Sequence, residues 1–150
     1  MSFWSKLFSK KDLEAIDALQ KEFEALLKKS DADFICLVGL TGNIKGINII
    51  NAVGKNETFG AKQMKMFAAK GVEFFSRFKA LEFIPAEFED PVKAIKFYYN
   101  EKLSFYIIPI PGNDTFVILA LNAHALKIIG NMDRIYSLIN QLKPEKGESS

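Results

Sequence analysis

The residues with chemistry to offer are few: one histidine, His124, one cysteine, Cys36, and the carboxylates Glu82, Glu87, Glu89 and Asp90. None stands in a catalytic pattern. His124 falls near an expected helix start, where a cationic imidazole is disfavoured. No serine or cysteine motif surrounds it to make a nucleophile–base pair. Cys36 sits inside the apolar run D-F-I-C-L-V-G-L and reads as an inert core thiol. Metal sites need clustered Cys, His or carboxylate ligands at set spacings. The four carboxylates lack a glycine-turned loop to present them, so a solvated acidic face is expected. G-L-T-G-N at Gly39–Asn43 lacks the lysine and following helix of a phosphate-binding loop, and reads as a hairpin turn. The residues therefore point to a protein that is not an enzyme and uses no cofactor and no metal.

Composition narrows the class further. A chain of 150 residues, 49% hydrophobic and 25% charged, forms one ordinary domain with a real core. The net charge of +2 sets up no field for nucleic acid. Of the 20 basic residues only Arg77 and Arg134 are arginines, which supply bidentate phosphate and base contacts. Phe97, Tyr98, Tyr99, Phe105 and Tyr106 beside Lys93, Lys96 and Lys102 imitate a base-stacking sheet. No RNA-binding motif accompanies them, and one sheet face must be core. The single cysteine excludes an internal disulfide and fits a reducing compartment. No apolar run reaches the ~20 residues of a membrane span. Met1–Lys11 has no signal-peptide core. A cytoplasmic protein is expected.

The elements that must position any site follow from periodicity. Met1–Lys11, M-S-F-W-S-K-L-F-S-K-K, puts Phe3, Trp4, Leu7 and Phe8 on one helical face. This amphipathic extension would serve either as weak membrane-surface or partner contact, or as packing on its own domain. A helix is predicted over Asp12–Lys29. Asp33–Leu40 predicts a central strand covered on both faces, and Ile44–Ile50 its return strand. Gly39 and Gly46 mark bulges or close backbone approach. A polar loop follows over Ala52–Glu57. The next helix, about Phe59–Lys79 with Thr58 as N-cap, is more apolar than a surface helix needs. Leu81–Pro91 is a connector with two prolines. Val92–Tyr99, Leu103–Ile110 and Thr115–Leu121 predict a three-strand antiparallel meander. A last helix is predicted over Ala123–Leu142, with Asn122 as N-cap and Pro144 as stop. Residues 12–142 form the domain and residues 143–150 a disordered tail.

The order helix, hairpin, helix, meander, helix resembles the roadblock / dynein light chain family, over about Ala15–Leu142. F-I-C-L-V-G-L-T-G-N-I-K-G is similar to that family's opening hairpin. L-S-F-Y-I-I-P-I-P-G-N-D-T-F-V-I-L-A-L is similar to its strand pair joined at a polar turn. N-A-H-A-L-K-I-I-G-N-M-D-R-I carries a small-residue-plus-basic pattern like that of its last helix. The resemblance implies an α+β fold, with one five-stranded antiparallel sheet sandwiched by helices in the profilin/longin manner. It also implies a homodimer in which the first meander strands pair across a two-fold axis and the second helices lie side by side. The bacterial type implies a regulator or scaffold of a Ras-like small GTPase, promoting hydrolysis or anchoring it.

Under that resemblance, dimer contacts are expected from Met64, Phe67, Gly71 and Phe74 on the second helix and from Lys93, Ile95, Phe97 and Tyr99 on the edge strand. Partner contacts are expected from Lys62, Met66, Lys70, Glu73 and Arg77. An unpaired edge rich in Ile, Phe and Tyr is a liability unless covered, which independently favours pairing. The rival reading is a ligand-sensing domain of PAS or GAF type, which would need an internal cavity.

Overall fold

The computed structural model describes residues 3–54, 60–80, 93–123, 130 and 132–144. Its elements are α1 (Phe3–Leu7), α2 (Lys10–Ser30), β1 (Phe34–Gly39), a 3-10 turn (Gly42–Ile44), β2 (Asn48–Val53), α3 (Ala61–Ala80), β3 (Ile95–Tyr98), β4 (Ser104–Pro109), β5 (Phe116–Leu121) and α4 (Asp133–Asn140). The strands form one five-stranded antiparallel sheet in the order β2-β1-β5-β4-β3. The expected fold class and element order are found, with β3 at an edge.

Side-chain alternation explains the layers. Ile35 and Leu37 on β1 and Ile118 and Ala120 on β5 face α2 and α4, beside Leu19, Phe23, Leu26, Ile135 and Ile139. Phe34, Cys36 and Val38 with Val117 and Leu119 face α3, beside Ala68 and Val72. Every residue of β1 and β5 is buried, as two-sided cover demands. Each such Leu, Ile or Phe withdraws apolar surface worth about 1.5–3 kcal/mol.

Several boundaries differ from expectation. The first long helix starts at Lys10, because Ser9 accepts a hydrogen bond from Asp12 N at 3.1 Å while Asp12 accepts from Ser9 N at 3.3 Å. This reciprocal cap is written in S-K-K-D. The N-terminal segment is no separate appendage, since Leu7 and Phe8 are buried in the main core. Lys143 N also donates to Asp12 Oδ1 at 3.3 Å, so the described chain stays attached past residue 142. The return strand is Asn48–Val53 rather than Ile44–Ile50. The 3-10 turn buries Ile44, and Gly46 at φ +77° turns the chain back. Ala52 and Val53 are therefore strand, not loop.

Asn122 is expected to cap a helix, but the residues it would cap lie outside the described ones. It sits at φ +53°, donates to Asp33 Oδ2 at 2.7 Å and accepts from Ser104 N at 2.8 Å. It thus ties the ends of β1, β5 and β4. Gly130 lies in a turn, and the described last helix is Asp133–Asn140. His124, Ala125, Ile128 and Ile129, the connector 81–91 with its carboxylates, Thr58, and residues 145–150 lie outside the described residues.

Gly39 has a specific reason to be glycine. Its backbone passes so close to Ile44 that an added Cβ would strike the Ile44 carbonyl. The pairing register of β1 with β2 shifts at Leu37/Val38, just before it. A backbone obstacle cannot rotate away. Gly39→Ala is expected to cost about 1–3 kcal/mol. Urea unfolding would show this as a lowered midpoint with unchanged slope.

Candidate interaction surface at the sheet edge

The site is built on β3, one of the two edge strands of the sheet among the described residues. Its hairpin to β4 is set by Asn100, whose Oδ1 accepts from Lys102 N at 2.8 Å and Leu103 N at 2.9 Å. An Asx turn of this kind fixes chain reversal without glycine. The reversal puts Phe97 opposite Phe105 and Lys96 opposite Tyr106. Alternation then sends Ile95 and Phe97 toward α3 and leaves Lys96 and Tyr98 on the other face.

On the α3 side the aromatics form a continuous cluster. Phe97 stacks on Phe105 at 4.9 Å between centroids, and Phe74 of α3 stacks on Phe97 at 5.5 Å. Phe67 meets Phe105 edge-on at 5.7 Å and Phe34 at 5.9 Å. Such pairs add about 0.5–1.5 kcal/mol each beyond area burial. The cluster is open at its outer end, where Phe74 keeps 45% of its surface in solvent.

On the opposite face Lys96 Nζ lies 4.4 Å from the Tyr98 ring centroid and 5.0 Å from that of Tyr106. Hydrogen bonding to the Tyr106 and then the Tyr98 hydroxyl raises its pKa, so the ammonium stays charged. Tyr98 and Tyr99 are 73% and 76% exposed. An edge strand carrying two bare tyrosines and an open phenylalanine stack presents groups suited to burial against protein.

Helix α3 divides the expected contacts. Phe67, Phe74, Ile95 and Phe97 come together at this edge, with Lys93 and Tyr99 exposed at the ends of β3. Gly71 does not join them. It is buried against Leu119 of its own sheet, where even a Cβ would collide with the leucine side chain. The close approach seen here is to its own sheet. Met64 lines an open groove of about 490 Å³ at the β2 edge, with Trp4, Ile47, Asn51 and Lys65. That groove opens to solvent and differs from the internal cavity a ligand-sensing domain requires.

Lys62, Met66, Lys70, Glu73 and Arg77 share the solvent stripe of α3. Glu73 bridges Lys70 at 3.5 Å and Arg77 at 3.2 Å. Exposed pairs of this kind are weak and exchange readily. The sequence sets Lys96 beside Tyr98 and Tyr106; what it does not give is that the ammonium lies over both rings, which the β3–β4 register decides.

Cys36 is fully buried, and burial pushes its thiol well above its ordinary value. The thiolate is the reactive form. Modification by a thiol-specific disulfide reagent is therefore expected only as fast as the chain unfolds. A native-state rate that ignores stabilising conditions would contradict this. Raised in the folded state, this group favours folding below the unfolded-state thiol pKa and withdraws that support as pH rises above it. No group of His, Cys, Asp or Glu among the described residues is arranged to hold a metal ion.

No family model matches the chain, and no curated protein matches it in sequence. Solved structures do match. The gliding protein MglB of Thermus thermophilus superposes with a TM-score of 0.63 at 11% identity, over 91% of this chain and 94% of that one. MglB of Myxococcus xanthus gives 0.61 at 15% identity, over 89% and 92%. A structure described as MglB with a tetrameric arrangement gives 0.61 at 12% identity, over 90% and 94%. Agreement over nearly the whole of both chains makes the fold roadblock-like.

Proposed function

We propose, from this roadblock-like fold and its open aromatic edge, that the chain is a non-catalytic homodimeric module that regulates or scaffolds a Ras-like small GTPase in the cytoplasm. The observation that carries the reading is β3. Among the described residues it is an edge strand with one side unpaired, flanked by Phe74, Phe97, Tyr98 and Tyr99, all at least partly open to solvent. A second copy covers that edge and aligns the two α3 helices. The joined helices then offer Lys62, Met66, Lys70, Glu73 and Arg77 twice over as a broad partner face. A carboxylate-bearing, lysine-rich surface of this kind suits mixed-charge switch loops. Regulation requires that it bind one nucleotide state of the GTPase more tightly than another.

Purified chain should capture a small GTPase in one loading state, among GTP-analogue, GDP and nucleotide-free forms, at least ~10-fold better than in the others. Equal capture in all three would leave a scaffold and remove the regulator. No capture would remove both.

A further inference from the structure

We infer that two copies pair through β3 in a single register, with the two-fold axis passing through Phe97. This rests on the homodimer proposed above and specifies how its interface is built.

The hydrogen-bonding pattern of β3 limits the choices. Tyr99 N donates to Leu103 O at 2.9 Å, so Tyr99 points its backbone groups at β4. In the antiparallel pair, alternation points those of Phe97 and Ile95 the same way. The N–H and C=O groups that face outward, with no strand partner among the described residues, belong to Lys96 and Tyr98. Residues directly opposite each other in a sheet share a face. Two identical antiparallel strands can therefore meet only with the axis on a residue, never between residues. The candidates within the strand are Ile95, Lys96, Phe97 and Tyr98, and an axis on Ile95 sets the Lys93 ammonium against the Phe97 ring.

An axis on Lys96 sets two ammonium groups directly opposite each other, which is destabilising. An axis on Tyr98 sets Ile95 against the carboxylate of Glu101 and leaves Lys96 against Asn100. An axis on Phe97 satisfies both faces. Lys96 and Tyr98 then exchange their outward hydrogen bonds with Tyr98 and Lys96 of the second copy. Each ammonium, already over the rings of its own Tyr98 and of Tyr106 across β3–β4, gains a third tyrosine ring from the second copy. On the α3 face the stacked pair Phe105–Phe97 continues into Phe97–Phe105 of the second copy. Ile95 meets Tyr99, and Lys93 comes level with Glu101. The strand is complementary to its own reverse in this register and in neither neighbour.

Engineered cysteines read the register directly. With the axis on Phe97, the Cα atoms of the two residues 97 lie about 4.5 Å apart, as in a non-hydrogen-bonded pair. This falls inside the roughly 4.4–6.8 Å that a disulfide spans. Residue 96 of one copy lies diagonal to residue 96 of the other, at roughly 7–8 Å, and the same holds for 98. Mild oxidation of Phe97→Cys should give mostly covalent dimer, while Lys96→Cys and Tyr98→Cys stay monomeric on a non-reducing gel. Native Cys36 is buried and adds no background.

Because Phe97→Cys trims the aromatic cluster, Ile95→Cys mixed with Tyr99→Cys supplies an independent route, and cross-links only in this register. Self-linking at 96 or 98 in place of 97 would move the axis and overturn the inference while leaving the dimer intact. A dimer by light scattering with no link at any of these positions would overturn pairing through β3. A monomer by light scattering would overturn the proposed homodimer itself.

Discussion

Phe74→Glu is expected to convert the dimer to a monomer without unfolding the chain. In one copy Phe74 is 45% exposed and rests on Phe97 at 5.5 Å and Phe105 at 6.2 Å. A glutamate there loses those ring contacts, worth about 0.5–1.5 kcal/mol each, but turns its carboxylate into water, so the chain stays folded. In the proposed dimer the same position is closed by the second copy. Symmetry places the substitution on both sides of the interface at once. Each unpaired buried carboxylate costs several kcal/mol, and even about 2 kcal/mol per side raises the dissociation constant about 10³-fold.

Sedimentation or light scattering across a concentration series should show the parent dimeric and the variant monomeric, with matching far-UV circular dichroism. The solvent stripe provides the contrast. Glu73→Lys, which breaks only exposed ion pairs, should leave the dimer intact and act on GTPase capture instead. A Phe74→Glu variant as dimeric as its parent would place the interface elsewhere.

Much of this architecture is legible in the residues because its causes are local. The unbroken apolar run around Cys36 requires a strand covered on both faces, and β1 is one. The alternation in I-K-F-Y, with polar residues exposed, marks a strand covered on one face, and β3 is that edge. Ser9 and Asp12 are spaced as a capping box, and the helix begins where they say. What stays hidden depends on which distant segment arrives as neighbour. Gly71 on a helix face predicts close approach but not to what, and the sheet strand carrying Leu119 supplies the answer. Asn122 before an apolar stretch looks like an N-cap. That reading does not reveal its side-chain bonds to Asp33 and Ser104, partners that only the folded sheet brings near. Lys96 between two tyrosines likewise depends on the β3–β4 register. Period predicts that a face exists; tertiary pairing decides what covers it.

Phe8 is the sharpest case, and it carries the second large effect. The spacing of Phe3, Trp4, Leu7 and Phe8 is equally suited to a lipid surface or to the protein's own core. The structure places Phe8 at 2% exposure and Leu7 at 5%, both within the α2–α4 core. Trp4 stacks on Phe8 at 5.9 Å, and Phe8 N donates to Trp4 O at 2.8 Å. Phe8→Ala is therefore expected to cost about 3–5 kcal/mol, the range for emptying a buried phenylalanine site. At about 2–4 °C per kcal/mol for a chain of this length, the melting temperature should fall by roughly 6 °C at the least. Lys6→Glu, at an exposed position of the same helix, should shift stability by no more than about 0.5 kcal/mol. A membrane foot predicts the reverse. Lys6→Glu would then abolish binding to anionic vesicles, and Phe8→Ala would melt like the parent. The two single substitutions, followed by thermal unfolding and vesicle sedimentation, separate a core element from an anchor.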